Sequence, residues 1–248
     1  MPQLSDNEKC LRNLHQKAGK AMKDYGLVAD GDRILIGLSG GKDSLALVEV
    51  LAQRSRIFRP RFEVVAAHIS MENVPYTADI GYLSDYCRQW GVEFVHRTGK
   101  FDPDTDPNRG PCFLCAWNRR KLLFQAAAEL HCNKVALGHH QDDILETLLM
   151  NLTFQGAFST MPPLLKTDHL NVDIIRPLCL IRESEIAKVA EIRQFKKQVK
   201  NCPYETVSNR HNIRAILQEM EQLNPEAASS LWGAMSNIQT QYLPNKKK

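Results

Sequence analysis

Six consecutive residues, Ser39-Gly40-Gly41-Lys42-Asp43-Ser44, bring together two glycines, two hydroxyls, an ammonium and a carboxylate. A glycine pair between a buried strand and a helix lets the backbone approach an anion closely. The exposed N–H groups and the helix dipole then favour phosphate. The spacing is neither that of ordinary P-loop NTPases nor the Gly-x-Gly-x-x-Gly of dinucleotide folds. The competing reading is a tight strand-to-helix turn that holds no ligand.

A second group is Cys112-Phe113-Leu114-Cys115, two thiols one helical turn apart behind Pro111, a residue suited to begin a helix. That spacing suits two ligands of one metal centre; a redox pair is the alternative, which the phosphate loop disfavours. No second Cys-x-x-Cys exists, so a four-cysteine zinc site cannot be read from spacing. Cys87 and Cys132 fall in or at the end of helical patterns and read as buried small residues. Cys179 follows a strand and stays ambiguous. Cys202, in Asn201-Cys202-Pro203-Tyr204, falls in a turn-like break from which a ligand can be aimed at a site.

The third group is Gly138-His139-His140-Gln141-Asp142-Asp143, which ends a strand and opens a helix. Ligands of open α/β sheets lie beyond the C-terminal strand ends, so His139 and Asp142 are expected on the rim that holds the phosphate loop. One of Asp142 and Asp143 is expected to cap the helix; Asp142 is read as the functional one. Arg119, one turn beyond Cys115, faces the same way.

The elements that position these groups alternate. An amphipathic helix reaches about Tyr25, followed by a strand at Arg33–Leu38 and a helix from Ser44 to about Arg54. Phe62–Ile69 is a strand, Thr77–Trp90 a helix and Val92–His96 a strand. After a polar loop come a helix from Cys112 to about Leu130, a strand at Lys134–Leu137 and a helix from Asp142 to about Phe154. Gln155–Asn171 reads as a long loop, Asp173–Leu178 as a strand and Glu183 to about Phe195 as a helix. This pattern predicts a doubly wound α/β fold with a mostly parallel sheet. Residues 1–30 form its N-terminal helix, 31–200 the nucleotide domain and 201–248 a helical extension.

Composition places few limits on partners. With 248 residues, 43% hydrophobic and 24% charged, the chain reads as an ordinary soluble protein, and a net charge of +4 permits a nucleic-acid partner without demanding one. Basic clusters at Arg54/Arg56/Arg59/Arg61, Arg119/Arg120/Lys121 and Lys196/Lys197/Lys200 are solvated faces or polyanion contacts, and Lys246-Lys247-Lys248 reads as a solvated tail. No apolar run is long enough for a bilayer and Met1-Pro2-Gln3-Leu4-Ser5 does not begin a secretory signal. The expectation is a cytoplasmic protein, with no membrane partner, whose seven cysteines are reduced thiols or metal ligands.

Ser39, Gly40, Gly41, Asp43 and Ser44 fill every fixed position of the Ser-Gly-Gly-x-Asp-Ser fingerprint, and the chain resembles the PP-loop superfamily of N-type ATP pyrophosphatases. Its members split ATP between the α and β phosphates and transfer AMP to an acceptor oxygen. The resemblance implies that the loop holds pyrophosphate, with Lys42 and the serines on phosphate oxygens and Asp43 near Mg²⁺. It also implies that His68 and Ile69 lie where adenine is seated, with Gly138 and His139 nearby; a core reading of Ile69 fits equally well.

A narrower resemblance, to the tRNA 2-thiocytidine synthetase group, covers most of the chain. It rests on Pro111-Cys112-x-x-Cys115 with Arg119-Arg120, on Gly138-His139-His140-Gln141-Asp142-Asp143 with Thr147 and Asn151, on Met161-Pro162-Pro163, and on Ile175-Arg176-Pro177-Leu178 with Glu183. It implies an ATP-dependent tRNA thiolase that adenylates an anticodon-loop cytidine and places sulfur at C2. Cys112, Cys115 and, as third ligand, Cys202 would hold a [4Fe–4S] cluster with one open iron, and Asp142 would lie beside cluster and base. Implied partners are tRNA, a cysteine desulfurase or other sulfur donor, and a second copy in a homodimer. Some members carry a second Cys-x-x-Cys at the third ligand, whereas Cys202 is followed by Pro203, Tyr204 and Glu205. Two rival functions remain: a PP-loop ligase joining an amine to an adenylated base, and a non-catalytic metal- and nucleotide-binding RNA module.

Overall fold

The computed structural model describes residues 4–57, 59–74, 76–106, 110–167, 171–200 and 209–244. Cys202 and the break around it, like the lysine tail, lie outside the described residues.

Among the described residues six strands form one sheet in the order β4-β2-β1-β5-β7-β6. These are β1 (Asp32–Gly37), β2 (Phe62–Met71), β4 (Glu93–Gly99), β5 (Lys134–Ala136), β6 (Leu164–Leu165) and β7 (Asp173–Ile175). All pair in parallel except β6, which runs antiparallel to β7 with Leu164 opposite Ile175. The fold is the expected doubly wound α/β type. Strand alternation explains the layers. Ile34, Ile36 and Ala66 turn to one face; Leu35, Val65 and Ala67 turn to the other.

On the first face lie α1 (Asp6–Asp24), α2 (Lys42–Ser55), α3 (Ile80–Trp90) and α6 (Glu183–Ile192), which contribute Leu14, Leu45, Leu83 and Ile186 to the shared core. On the second lies α4 (Pro111–Glu129), through Leu123, Ala126 and Ala127. Every residue of α2 from Ser44 to Ala52 is buried, as befits a helix covered by the sheet below and other helices around it.

Two expectations are corrected, and a third is met with a change of helix type. Thr77 is strand, not helix: β3 (Tyr76–Thr77) pairs antiparallel with β8 (Val199–Lys200), and α3 starts only behind the Asp79 cap. The stretch 155–171 is not all loop, because Leu164 and Leu165 add an antiparallel edge to the sheet. The helix of α5 (Gln141–Met150) continues over Asn151–Gln155 in π geometry and stops at Gly156, whose φ is +61°. The tight spacing of long-range backbone pairs, not local propensity, decides the first two.

The chain divides into two compact units, Met1–Gln141 with Pro162–Thr206, and Asp142–Met161 with Val207–Lys248. The second holds most of α5, together with α7 (Asn209–Leu223) and α8 (Ala227–Ala234), joined by a small core of Leu145, Leu217 and Ala228. No helix among the described residues is long and apolar enough to cross a membrane.

Candidate active site

The phosphate loop is built from backbone conformation. Gly40 has a φ of +86°, a region a β-carbon disfavours, and a methyl there would meet Gln198 Cγ at 3.0 Å. Gly41 caps α2 with extended backbone and no side-chain bond, so the first-turn N–H groups are available to an anion. The loop's own hydroxyls brace it. Ser44 Oγ accepts from the Gly40 N–H at 3.1 Å and donates to the Gly41 carbonyl at 2.9 Å, while Ser39 Oγ accepts from the Gly41 N–H at 3.3 Å.

Lys42 Nζ lies 3.1 Å from Asp43 Oδ1 and 3.0 Å from Glu183 Oε1. Burial alone would lower its pKa, but the two carboxylates outweigh burial and the net shift is upward, so the ammonium stays charged. Behind the loop, a β-carbon on Gly138 would stand 3.1 Å from the Asp43 carbonyl carbon and the Ser44 nitrogen, closer than β-carbons ordinarily come to backbone. His140 is buried with Nε2 4.0 Å from Asp43 Oδ1. Arg176, also buried, donates from Nε to His139 Nδ1 at 3.3 Å and from Nη1 to the Pro162 carbonyl at 2.6 Å, joining three separate sequence motifs.

Beside the loop a cavity of about 210 Å³ opens among the ends of β1 and β2 and the flank of α4, lined by Ser39, His68, Ile69, Arg119 and Phe124. His68 is buried with Nδ1 2.7 Å from the Leu38 carbonyl oxygen. A carbonyl only accepts, so Nδ1 carries the proton and Nε2 presents a lone pair. Burial holds His68 below the ordinary imidazole value of 6.5, against the bond to Leu38 and with help from Arg119 and His96. Its Nε2 has no hydrogen-bond partner among the described residues. His68 Nε2 is thus a buried lone pair in the wall of an otherwise apolar slot, which fits a ligand whose N–H donor moves the ring enough to reach it. Ile69 lines the same cavity and also packs against the core clusters, so its two readings coexist.

The thiols ride on α4, which opens at Gly110 with no side-chain cap and with proline in the first turn. At 3.6 residues per turn, Cys112, Cys115 and Arg119 share the helix face that continues into Leu123, Ala126 and Ala127, which is buried on the sheet. The cysteines therefore point over the same strand ends that carry the phosphate loop and His68. Cys112 is exposed; Cys115 is half-buried beside Met71 and Phe101. Elsewhere burial pushes the thiols of Cys87 and Cys179 up to about 12 and raises those of Cys10 and Cys132, which marks them as unreactive. Cys179, ambiguous in sequence, is a core residue. Two thiols on one helical turn suit an iron–sulfur centre by donor chemistry; no group of three metal-binding side chains occurs among the described residues.

Asp142 and Asp143 belong to the second unit. Asp143 Oδ1 accepts from Arg210 Nη1 at 3.1 Å and the buried Glu146 accepts from Arg214 Nε at 2.7 Å, so these carboxylates hold α7. Asp142 is buried in the first turn of α5. Sequence spacing missed the Lys42–Glu183 pair, the Arg176–His139 bond and Gln198 against Gly40. Each joins residues 37 to 158 positions apart (Arg176−His139 = 37; Gln198−Gly40 = 158), beyond any periodic signal.

A Ser-Gly-Gly-Lys-Asp-Ser loop at the end of the first strand of a parallel sheet, braced by its own serines and backed by Gly138, is the mark of a class of ATP-handling proteins. The chain belongs to the PP-loop family, whose domain matches residues 10–220. It is 35% identical to the tRNA-cytidine(32) 2-sulfurtransferase of Syntrophotalea carbinolica over 98% of this chain and 95% of that one. It is also 35% identical to the protein of that name from Geobacter sulfurreducens, over 94% and 92%. In fold it resembles the U34-tRNA thiolase NcsA from Methanococcus maripaludis, solved with its [4Fe-4S] cluster. There the TM-score is 0.76 at 24% identity, covering 96% of this chain and 82% of that one.

Proposed function

We propose that this chain thiolates tRNA: it uses ATP to adenylate the C2 oxygen of a cytidine, at position 32 as in its relatives' names, and places sulfur at that carbon. The observation that carries this reading is the shared face of α4. It sets Cys115 one turn and Cys112 two turns before Arg119, and Arg119 lines the cavity that begins at the phosphate loop.

The roles follow from position and charge. The first-turn N–H groups of α2, with Lys42, Ser39 and Ser44, bind the phosphates; Asp43 orients Mg²⁺ on them. Binding requires Lys42 to exchange its carboxylate partners for phosphate, and Glu183 keeps the ammonium charged and aimed while it waits. The adenine enters the cavity between Ile69 and Phe124, where its exocyclic amine donates to His68 Nε2. Gly138 lets the strand end approach the loop, and His139 is held by Arg176.

Adenylation turns the cytidine oxygen into part of AMP, so sulfur arriving at C2 releases that oxygen with AMP. Cys112, Cys115 and Cys202 hold a [4Fe–4S] cluster, which when bound supplies an open iron for sulfide. Asp142 takes the proton that the incoming hydrosulfide loses as AMP leaves C2. The sulfur comes from a cysteine desulfurase in the cytoplasm, and the anticodon loop suits the reaction because unpaired bases can be splayed toward a site.

The test is anaerobic incubation of reconstituted protein with unmodified tRNA, Mg-ATP and sulfide, followed by nucleoside mass spectrometry. A 2-thiocytidine product that requires ATP and all of Cys112, Cys115 and Cys202 establishes the reading. Absence of any thiolated base, with the cluster intact, refutes it.

A further inference from the structure

Phe113 and Trp117 stand one turn apart on α4 and remain about half exposed, at 47% and 50%. Large aromatic side chains in the open need a reason. Lys121, one turn further, lies over the Trp117 ring with Nζ 5.5 Å from its centroid, and Arg120 is exposed beside it. Phe113, Trp117 and Lys121 form one stripe along the helix, and Arg120 lies between that stripe and the face buried through Leu123, Ala126 and Ala127, where it also lines the cavity beside the phosphate loop. The stripe meets the thiol face at the bond between Cys112 and Phe113.

We propose that this stripe is a stacking platform for unpaired bases of an RNA loop, with Arg120 and Lys121 on its phosphates. The proposal rests on the thiolase reading and adds where the substrate loop lies. Aromatic faces stack on any base, and interleaved cations neutralise the backbone between stacked bases. A self-association surface fits less well. In a two-fold contact the same patch meets itself, which would press Arg120 and Lys121 of one copy toward those of the other. An RNA loop presents the opposite charge along its whole length. The position also suits the chemistry: a base beside the stacked ones sits within one helical turn of Cys112.

Affinity of the full-length chain for a labelled anticodon stem–loop RNA, measured by anisotropy across a salt series, tests the platform. Trp117→Ala should weaken binding about tenfold at every salt concentration, because lost stacking is not a counterion effect, and Trp117→Phe should restore most of it. Lys121→Ala should instead lower the salt slope by about one. Circular dichroism and light scattering on the same samples report folding and mass. Unchanged affinity in Trp117→Ala overturns the platform. So does a dimer that Trp117→Ala dissociates with RNA affinity unchanged, which would make the stripe a contact between copies. Thiolation by the wild-type protein is scored in parallel. If it fails while Trp117→Ala still weakens RNA binding, the thiolase reading falls and the platform stands. If the wild-type chain binds no RNA, both fall.

Discussion

Two helices start at the same end of the sheet with a glycine cap and no capping side chain, and they are otherwise opposite. The start of α2 is enclosed. Ser39 and Ser44 bond within the loop, Gly138 touches its backbone, and the helix is buried on all sides as far as Ala52. The start of α4 is open, with Cys112, Phe113 and Trp117 exposed and only Leu114 buried in the first turn and a half. By contrast α1 and α3, which carry no site, use Ser5 and Asp79 as ordinary side-chain caps. Leaving a helix start uncapped costs stability; the fold does it at α2 and α4, the two starts beside the site, and also at α8 behind Glu226. The enclosed start suits a rigid cradle for a small charged group. The open one suits a large substrate that must reach a thiol-held atom.

The largest effect that can break this comparison is at the open start. Cys112→Ala and Cys115→Ala should each reduce 2-thiocytidine formation to background while ATP affinity, measured by calorimetry, stays near wild type. Loss of ATP binding in either variant would mean that the two starts are not separate devices. Gly138→Ala should do the converse. Its methyl presses on the Asp43 and Ser44 backbone, which must give way by a few tenths of an ångström, and overpacking of this kind costs roughly 1–3 kcal/mol. Some of that cost would appear as an ATP affinity about tenfold weaker, with cluster absorbance retained after reconstitution.

The same comparison says what the sequence made legible. The phosphate loop and Cys-x-x-Cys are local patterns whose spacing maps directly onto backbone geometry, and the buried run Ile34-Leu35-Ile36 announces a central strand. Glu183 was visible as part of a familial pattern but not as the partner of Lys42, because nothing local links residues 141 apart. β3 and β8 are two-residue strands too short for any periodicity, and only the long-range pairing with Val199 and Lys200 overrides the helix propensity that starts at Thr77. The half-exposed aromatics of α4 were hidden for another reason: exposure on a helix depends on what covers it.

A smaller effect tests the ion pair at the enclosed start. Glu183→Gln keeps a hydrogen-bond acceptor for Lys42 but removes one of the two charges that raise its pKa. If Glu183 only holds Lys42 ready, ATP should bind within about threefold of wild type, since partly exposed pairs are worth about 0–1 kcal/mol. Lys42→Ala, which removes the cation itself, should weaken ATP much further. Equal losses in the two variants would make Glu183 a ligand-contacting residue.

The smallest effect concerns His68, which lies in the cavity between the two starts. Its ring is neutral in the folded chain because burial disfavours the cation, whereas in the unfolded chain it titrates at the ordinary 6.5. A folded pKa below the unfolded one means that the stability tied to this group is fully present above 6.5. It is lost progressively as pH falls from there through the lower folded value. His68→Gln does not titrate, so its Tm should fall less steeply than that of wild type between about pH 7 and about pH 5. ATP affinity should follow the same pattern, because protonation converts the Nε2 acceptor into a donor facing the adenine amine. A wild-type ATP affinity that stays flat over this range, with Tm falling equally in both proteins, would remove His68 from the adenine site and leave the cavity to another part of the substrate.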